Sequence, residues 1–316
     1  MYHQLTSEQR SQIFAYLQDG IARKIICERV GISQSTLCRE LKRNSGKHGK
    51  YTWQLAHQKA MERRERICTN RRTPQWIIHK ALRLLREEDW SPKQISGYLR
   101  LEGLRISHER LYQIIRADET GELRTHCRHK LKYRRHKGRK RKPSGRTIIP
   151  DRVSIHQRPA EADGTRFGDW EMDLVIGKGQ KSAVLTMIER KTNMFLQTKL
   201  TSKKPEVVAM GAWRLLLPYK ANVLTITTDN GSEFMNHKWL ARRIGATVYF
   251  ADPFCSGQKG AVEHANKLLR QYFPKGTDFR KVEQAELDRI QAKINRRPRE
   301  KLGFSSPRCV FFKLLS

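Results

Sequence analysis

Two periodicities divide the chain. Up to about residue 127 apolar positions recur every three or four residues; from about Ile148 they alternate or run together. The first pattern predicts helices and the second strands. Thr6-Ser7-Glu8-Gln9 is a capping box, in which Thr6 satisfies the amide of Gln9 and Gln9 reaches back. The helix it opens carries Ile13, Phe14 and Leu17 on one face and stops at Gly20. A second helix is predicted at roughly 22–30, ending at Gly31, and Ser33 caps a third, QSTLCRELKRN, with Leu37 and Leu41 inward. A helix over 51–66 ends in the basic run MERRER, and residues 67–75 (ICTNRRTPQ) read as a linker. A second three-helix unit follows. Ile77, Ile78, Ala81, Leu82 and Leu85 form one face, Ser91-Pro92-Lys93-Gln94 is another capping box, and Ser107 caps HERLYQIIRAD after a break at Gly103. Ser33, Leu37 and Leu41 correspond to Ser107, Leu111 and Ile115 at a constant offset of 74, an internal repeat.

Beyond Ile148, strands are predicted near 169–176, 182–190, 194–200, 223–228 and 247–251. Helices are expected at about 204–218, 237–244 and 259–272, with a C-terminal helix at 281–296 closing the chain. The stretch VLTITTDNGSEF (223–234) organises this half. Its β-branched run ends at Asp229, and Asn230-Gly231 turns the chain before Glu233. A carboxylate at the end of a core strand is held rigidly at a surface opening, which suits a hard divalent cation. Further acids lie upstream in WEMDLVIGK (Asp173) and downstream in GAVEHANKLLRQYF, where Glu263 stands on an amphipathic helix with 33 residues between it and Asp229. Asp169, Glu171 and Asp173 alternate along one strand face, so geometry alone permits any of the three. His264, next to Glu263, diverges from it by about 100° around the helix.

Composition changes the picture in one respect. The 316 residues carry a net charge of +33, with 35 Lys/Arg against 14 Asp/Glu over residues 1–150 and 29 against 17 over 151–316. Residues 128–146, RHKLKYRRHKGRKRKPSGR, hold eleven Lys/Arg in nineteen positions. A field of this strength attracts a polyanion, and nucleic acid is the expected partner. Cys27, Cys38, Cys68, Cys127, Cys255 and Cys309 include no C-x-x-C pair, so neither a zinc site nor a disulfide framework is indicated. The absence of a long apolar run or a signal-like start leads us to expect a soluble, cytoplasmic protein with no membrane association.

Read together, the W-x-x-D strand, the DNGSEF turn and the acid-on-helix spacing resemble the catalytic cores of retroviral integrases and DDE transposases. More closely, GDWEMDLV, TTDNGSEF, EHANKLLRQYFPKGT and NRRPREKLGF resemble the IS-thirty family of bacterial insertion-sequence transposases. The resemblance spans nearly the whole chain. It implies a multidomain protein: all-α helix-turn-helix units at 1–66 and 76–127, a basic linker at 128–147, and an α/β ribonuclease H-like catalytic core at 148–316. It favours Asp173, through Trp170, over its strand neighbours, which leaves Asp169 and Glu171 as outer polar residues and Glu233 as either a turn residue or a group that supports the metal-binding acids from behind. Asp173, Asp229 and Glu263 are then the catalytic and metal-binding acids, taking Mg²⁺ with Mn²⁺ able to substitute. Gly257 stands where many relatives carry tryptophan, and Val262 and His264 replace the asparagines that commonly flank the acid.

The expected partner is double-stranded DNA, both transposon ends and target, engaged by at least a dimer because two ends must be brought together. On the first recognition helix Gln34, Ser35 and Arg39 are candidates for base edges, and Lys42 and Arg43 for phosphates. His108 and Arg110 hold the matching places in the second unit. Arg134, Arg135 and Lys140 of the basic run would follow the backbone, and Lys267 and Arg270, four and seven positions beyond Glu263, would stand beside the scissile phosphate. Two other functions share parts of this pattern: a sequence-specific regulator with an inactive nuclease core, and a ribonuclease H or junction-resolving nuclease.

Overall fold

A computed structural model describes residues 4–46, 49–71, 73–131, 149–180, 182–253 and 255–315. The chain forms two compact units, Met1–Pro74 and Gln75–Ser316.

The first unit comprises α1 (Ser7–Gln18), α2 (Arg23–Val30), α3 (Gln34–Asn44) and α4 (Trp53–Arg71). Both predicted caps form: Thr6 and Gln9 make the reciprocal box, and the Ser33 hydroxyl accepts the amide of Thr36. Ile13, Ile26, Leu37 and Ala56 meet in a fully buried centre. A buried ion pair lies beside them. Arg10 Nε donates to Glu40 at 2.8 Å, Tyr51 donates to the same carboxylate, and Arg10 also reaches the Leu5 carbonyl. Helix α4 runs through Arg71, well into the expected 67–75 linker, because nothing breaks the helix before Pro74.

The second unit opens with α5 (Gln75–Glu88), α6 (Pro92–Leu101), α7 (His108–Ala117) and the single turn α8 (Glu122–Thr125). Ser91 and Gln94 form the second capping box, and Ser107 caps α7 as Ser33 caps α3. The sheet follows, with β1 (Val153–Ser154), β2 (Asp169–Ile176), β3 (Ala183–Glu189), β4 (Phe195–Leu200), α9 (Pro205–Leu216), β5 (Thr225–Thr228), α10 (His237–Ile244), β6 (Thr247–Phe250), α11 (Gly260–Tyr272), α12 (Gln284–Arg296) and α13 (Pro307–Leu315). Strand order is β1-β6-β5-β2-β3-β4. The hairpins β2–β3 and β3–β4 are antiparallel, and β2–β5, β5–β6 and β1–β6 are parallel. Each face is covered. Trp170, Met172, Leu185 and Ile226 pack with Val208, Leu240 and Phe311 on one side; Val175, Val184 and Phe195 pack with Val262, Leu269 and Ile290 on the other.

Two features set the frame of the site. Gly168 adopts φ +101°, and a Cβ there would lie 2.2 Å from the Asn222 carbonyl, so only glycine lets the chain enter β2 alongside β5. The outer edge of β4 is closed by α12, whose side chains replace a missing strand. Asn295, Gln291 and Gln284 accept the amides of Phe195, Gln197 and Lys199 at 2.8, 2.6 and 3.0 Å. Helix α12 does not close the chain, as the sequence suggested; α13 follows and inserts Phe311 against Phe167, Trp170 and Tyr219.

The helical set α5–α8 shares this unit with the sheet. Asp89 is bonded by Lys293 (2.6 Å), His126 (2.8 Å) and Tyr272 (3.1 Å). The Phe304 ring lies so close to Gly97 that a Cβ would be 2.1 Å from it.

Candidate active site

Strand β2 carries its three acids to three different environments. Asp169 is fully buried, accepting from Arg166 at 2.8 and 3.1 Å and from the Thr225 hydroxyl at 2.6 Å across the β2–β5 register. Glu171 is also buried, 3.1 Å from Arg190 Nε, and accepts the amide of Val262 at 2.9 Å. These two were expected to be outer polar residues, and the structure corrects that. Helix α11 covers this face of β2, and Arg166, three residues before Asp169, and Arg190, at the end of β3, reach in to neutralise the carboxylates. Burial raises the Glu171 pKa, while the Val262 amide and Arg190 oppose the rise. The Glu171 charge at the first turn of α11 favours the helix dipole and holds that helix on the strand.

Asp173, nearest the open end of the three, is only partly buried. Its Oδ1 lies 3.1 Å from Lys259 Nζ, and its Oδ2 accepts from Asn266 Nδ2 at 2.7 Å. Asp229 stands just past the end of the neighbouring parallel strand β5, with Oδ2 2.9 Å from the same ammonium. Its other oxygen accepts the Gly231 amide at 3.0 Å, an Asx turn that sets the carboxylate. Asn230 ties this turn to its surroundings, accepting from Arg152 and donating to the Ala251 carbonyl, both at 2.5 Å. Glu233 folds back over Gly231, as a turn residue would.

Lys259 is therefore the centre of the site. It is 5% exposed. Burial alone would lower its pKa, but the charges of Asp173 and Asp229 outweigh that and raise it. Asp173 is pushed up by burial; Lys259 opposes this and the Asp229 charge adds to it. Lys259 and Asn266 were not among the residues singled out from sequence. Asn266 left a signal, standing three positions after Glu263 on the same face of α11; Lys259 lies just before that helix and left none. Glu263, partly exposed in the first turn of α11, lies on the face that meets Asp173. Among the described residues, no three His, Cys, Asp or Glu side chains stand close enough to hold a metal. Asp173 and Asp229 are brought together, and Glu263 is not closed with them into such a set.

The pair nevertheless suits a hard cation. Two carboxylates from neighbouring strands converge on one positive charge within 3.1 Å, and the same two carboxylates would be the ones to hold a metal ion. Magnesium keeps several waters and needs only one or two such oxygens, so the donor set fits it.

Other predicted positions fare differently. Arg270 gives its donors to the carbonyls of Ile176 (2.8 Å), Phe273 and Pro274, and burial lowers its pKa. It anchors the end of α11 to β2, its guanidinium engaged by backbone carbonyls. Lys267 is exposed. Gln34, Ser35, Arg39, Lys42 and Arg43 all lie on the exposed side of α3, where Arg39 folds onto Ser35 (Nε to carbonyl 3.0 Å). His108 and Arg110 are exposed on α7, whose Arg116 is paired with Glu109 at 3.0 Å. Arg134, Arg135 and Lys140 lie outside the described residues.

The Integrase core domain family matches residues 165–255, a span that holds β2 through β6 with Asp173 and Asp229. The chain is 37% identical over 319 residues to a transposase for insertion sequence element IS4351 of Bacteroides fragilis, covering 100% of this chain and 98% of that one. It is 33% identical to transposase InsI for insertion sequence element IS30A of Escherichia coli, across 96% of this chain and 82% of that protein. Among solved structures, the catalytic core domain of BIV integrase aligns with a TM-score of 0.38 at 21% identity, over 46% of this chain and 95% of that one. No helix among the described residues is long and apolar enough to cross a membrane.

Proposed function

This chain belongs to the IS30 family of insertion-sequence transposases and is a DDE-type DNA transposase, and from that premise we propose that it binds the terminal repeats of its own element, cleaves at them and transfers the freed 3′-hydroxyl to a second phosphodiester. The observation that carries this reading is the convergence of Asp173 and Asp229, from adjacent parallel strands, on one cationic point beside the helix that bears Glu263.

The family generally depends on a divalent metal ion. Here Asp173, Asp229 and Glu263 would hold Mg²⁺, or Mn²⁺ in its place, and such ions supply activation of an attacking oxygen and stabilisation of a leaving one. The chain's own residues do the positioning. Asn266 donates to Asp173 and fixes the orientation of its carboxylate, and the Asp229 Asx turn does the same on the neighbouring strand. Glu171 sets the depth of α11, and therefore of Glu263, against the sheet. Lys259 balances the two aspartates until a stronger cation competes for them.

DNA recognition falls to the helical units. Residues 1–66 form one helix-turn-helix module that reads the end through Gln34, Ser35 and Arg39, with Lys42 and Arg43 on phosphates. Residues 76–127 form a second, presenting His108 and Arg110. The basic run at 128–147 follows the backbone, Lys267 stands near the scissile phosphate, and two chains at least act together to join two ends.

A core whose aspartate pair is neutralised by a lysine also suits a regulator that binds DNA without turnover. A supercoiled plasmid carrying candidate ends, incubated with the protein and Mg²⁺, separates the readings. Joined products support the transposase reading; binding alone favours the regulator, and nicking alone a nuclease.

A further inference from the structure

The second unit contains a cleft of about 210 Å³ between its helical set and helix α11, separate from the aspartate pair. One wall is the N-terminal end of α6 with Asp89, together with Arg128 past α8; the other is His264 and Gln271 of α11 with Arg297 and Arg299. Its charge is one-sided. The carboxylate of Asp89 is already engaged by Lys293, His126 and Tyr272. Arg297 and Arg299 form no ion pair among the described residues.

Both arginines hold a buried Nε–H with no hydrogen-bond partner. Arg297 is 3% exposed, and only its Nη2 is bonded, to Gln271 and the Tyr272 hydroxyl. The other contact of Arg299 is Nη2 to the Ile294 carbonyl at 3.2 Å. Burial, and then the charge of Arg297, lower the Arg299 pKa to about 10. Holding the Nε–H donors of two neighbouring guanidinium ions away from water and unused is unfavourable unless an anion completes them. A guanidinium fork is built for phosphate oxygens.

We infer that this cleft is a phosphodiester-binding site, in which Arg297 and Arg299 take one backbone phosphate of DNA as the duplex passes from the second helical unit to the catalytic helix. The inference rests on the transposase reading for its ligand. The site has a mechanical consequence. His264 and Gln271 belong to the same helix as Glu263, so a phosphate seated here touches α11 on a face adjoining the one that carries Glu263.

The test uses the full-length protein and a duplex carrying one element end, with binding measured across a salt series. Arg299→Gln should reduce the steepness of log K against log salt by about one phosphate's worth, roughly 0.9. It should weaken binding on the order of three- to tenfold, equally on the end duplex and on random DNA. A scan of single methylphosphonate substitutions in the duplex, made with wild-type protein, should reveal one position whose effect disappears in Arg299→Gln. Arg299→Lys, which keeps the charge, should restore much of the salt dependence and so separates loss of contact from loss of fold. An unchanged slope with no such position overturns the inference. Inorganic phosphate that raises the melting temperature of wild type and not of Arg299→Gln, with DNA binding unaltered, reassigns the cleft to a small anion and overturns it too. Failure of the transposase reading shows elsewhere, as a wild-type protein that does not distinguish its element's end from random DNA.

Discussion

Replacing Lys259 with methionine should make the sheet unit's stability depend on metal in a way the wild type's does not. The change keeps length and apolar stem and removes the one charge between Asp173 and Asp229. Each Nζ–oxygen distance is close to 3 Å, at 3.1 and 2.9 Å. At an effective dielectric of 20, a unit pair about 3 Å apart attracts by about 5 kcal/mol before desolvation is counted. The Asp229 side chain is 46% exposed and Asp173 23%, so water screens much of this, the Asp229 share most. With the repulsion between the unpaired aspartates added, we expect Lys259→Met to lose about 2–4 kcal/mol in EDTA. Saturating Mg²⁺ should close at least about 1.4 kcal/mol of that gap, because a cation that need not displace an ammonium binds the pair at least tenfold more tightly. The assay is urea unfolding of both proteins in EDTA and in Mg²⁺, with Mg²⁺ titration by calorimetry. An identical gap in the two conditions, with equal Mg²⁺ affinity, would show that Lys259 does not stand where the metal binds.

Three further outcomes follow from other contacts. Arg39→Ala should cost about 1–3 kcal/mol on the cognate end and spare random DNA if Arg39 reads a base; equal losses on both assign it to phosphate. Glu171→Ala leaves the partly buried Arg190 without its carboxylate and the Val262 amide without its acceptor, and should destabilise the unit by about 3–5 kcal/mol in urea unfolding; a loss under about 1 kcal/mol would mean α11 is held by packing alone. Asp89 is raised by burial but drawn below the usual carboxylate range by Lys293, His126 and Tyr272. Its contribution is therefore complete above the unfolded carboxylate pKa of about 4 and is lost as pH falls through the folded value, so Asp89→Asn should flatten the acid limb of a stability–pH curve.

The elements that position the site were legible where local pattern and burial agree. The strands β2, β3 and β4, the turn after β5 and the helices α9 to α12 fall within a few residues of their expected places, because alternation, caps and Gly-containing turns are local. Strand β1 was missed since two residues carry no periodicity, and α13 because PRCVFFKLL has no strong cap and is defined by burying Phe311. The roles of the β2 acids were not legible. Whether Asp169 or Glu171 faces water depends on Arg166, Arg190 and the first turn of α11, which only the fold brings to them. Lys259 was passed over for a similar reason. In CSGQKG it reads as a solvated loop lysine, and nothing local says that two strand ends wait for it. The closure of β4 by three side-chain amides of α12 was equally invisible, since Gln284, Gln291 and Asn295 look like an ordinary polar helix face.

The central claim is that Asp173, Asp229 and Glu263 act together on a phosphodiester while the helical units hold the DNA. Its most direct measurement is joining of a precut element end in Mg²⁺ by the Asp229→Asn protein, run beside gel-shift binding to the same end. The substitution keeps the side chain's shape and the Asx turn and removes one charge from the pair. We expect joining to fall by orders of magnitude while end binding persists at the wild-type level or slightly tighter. Joining at the wild-type rate would contradict the account.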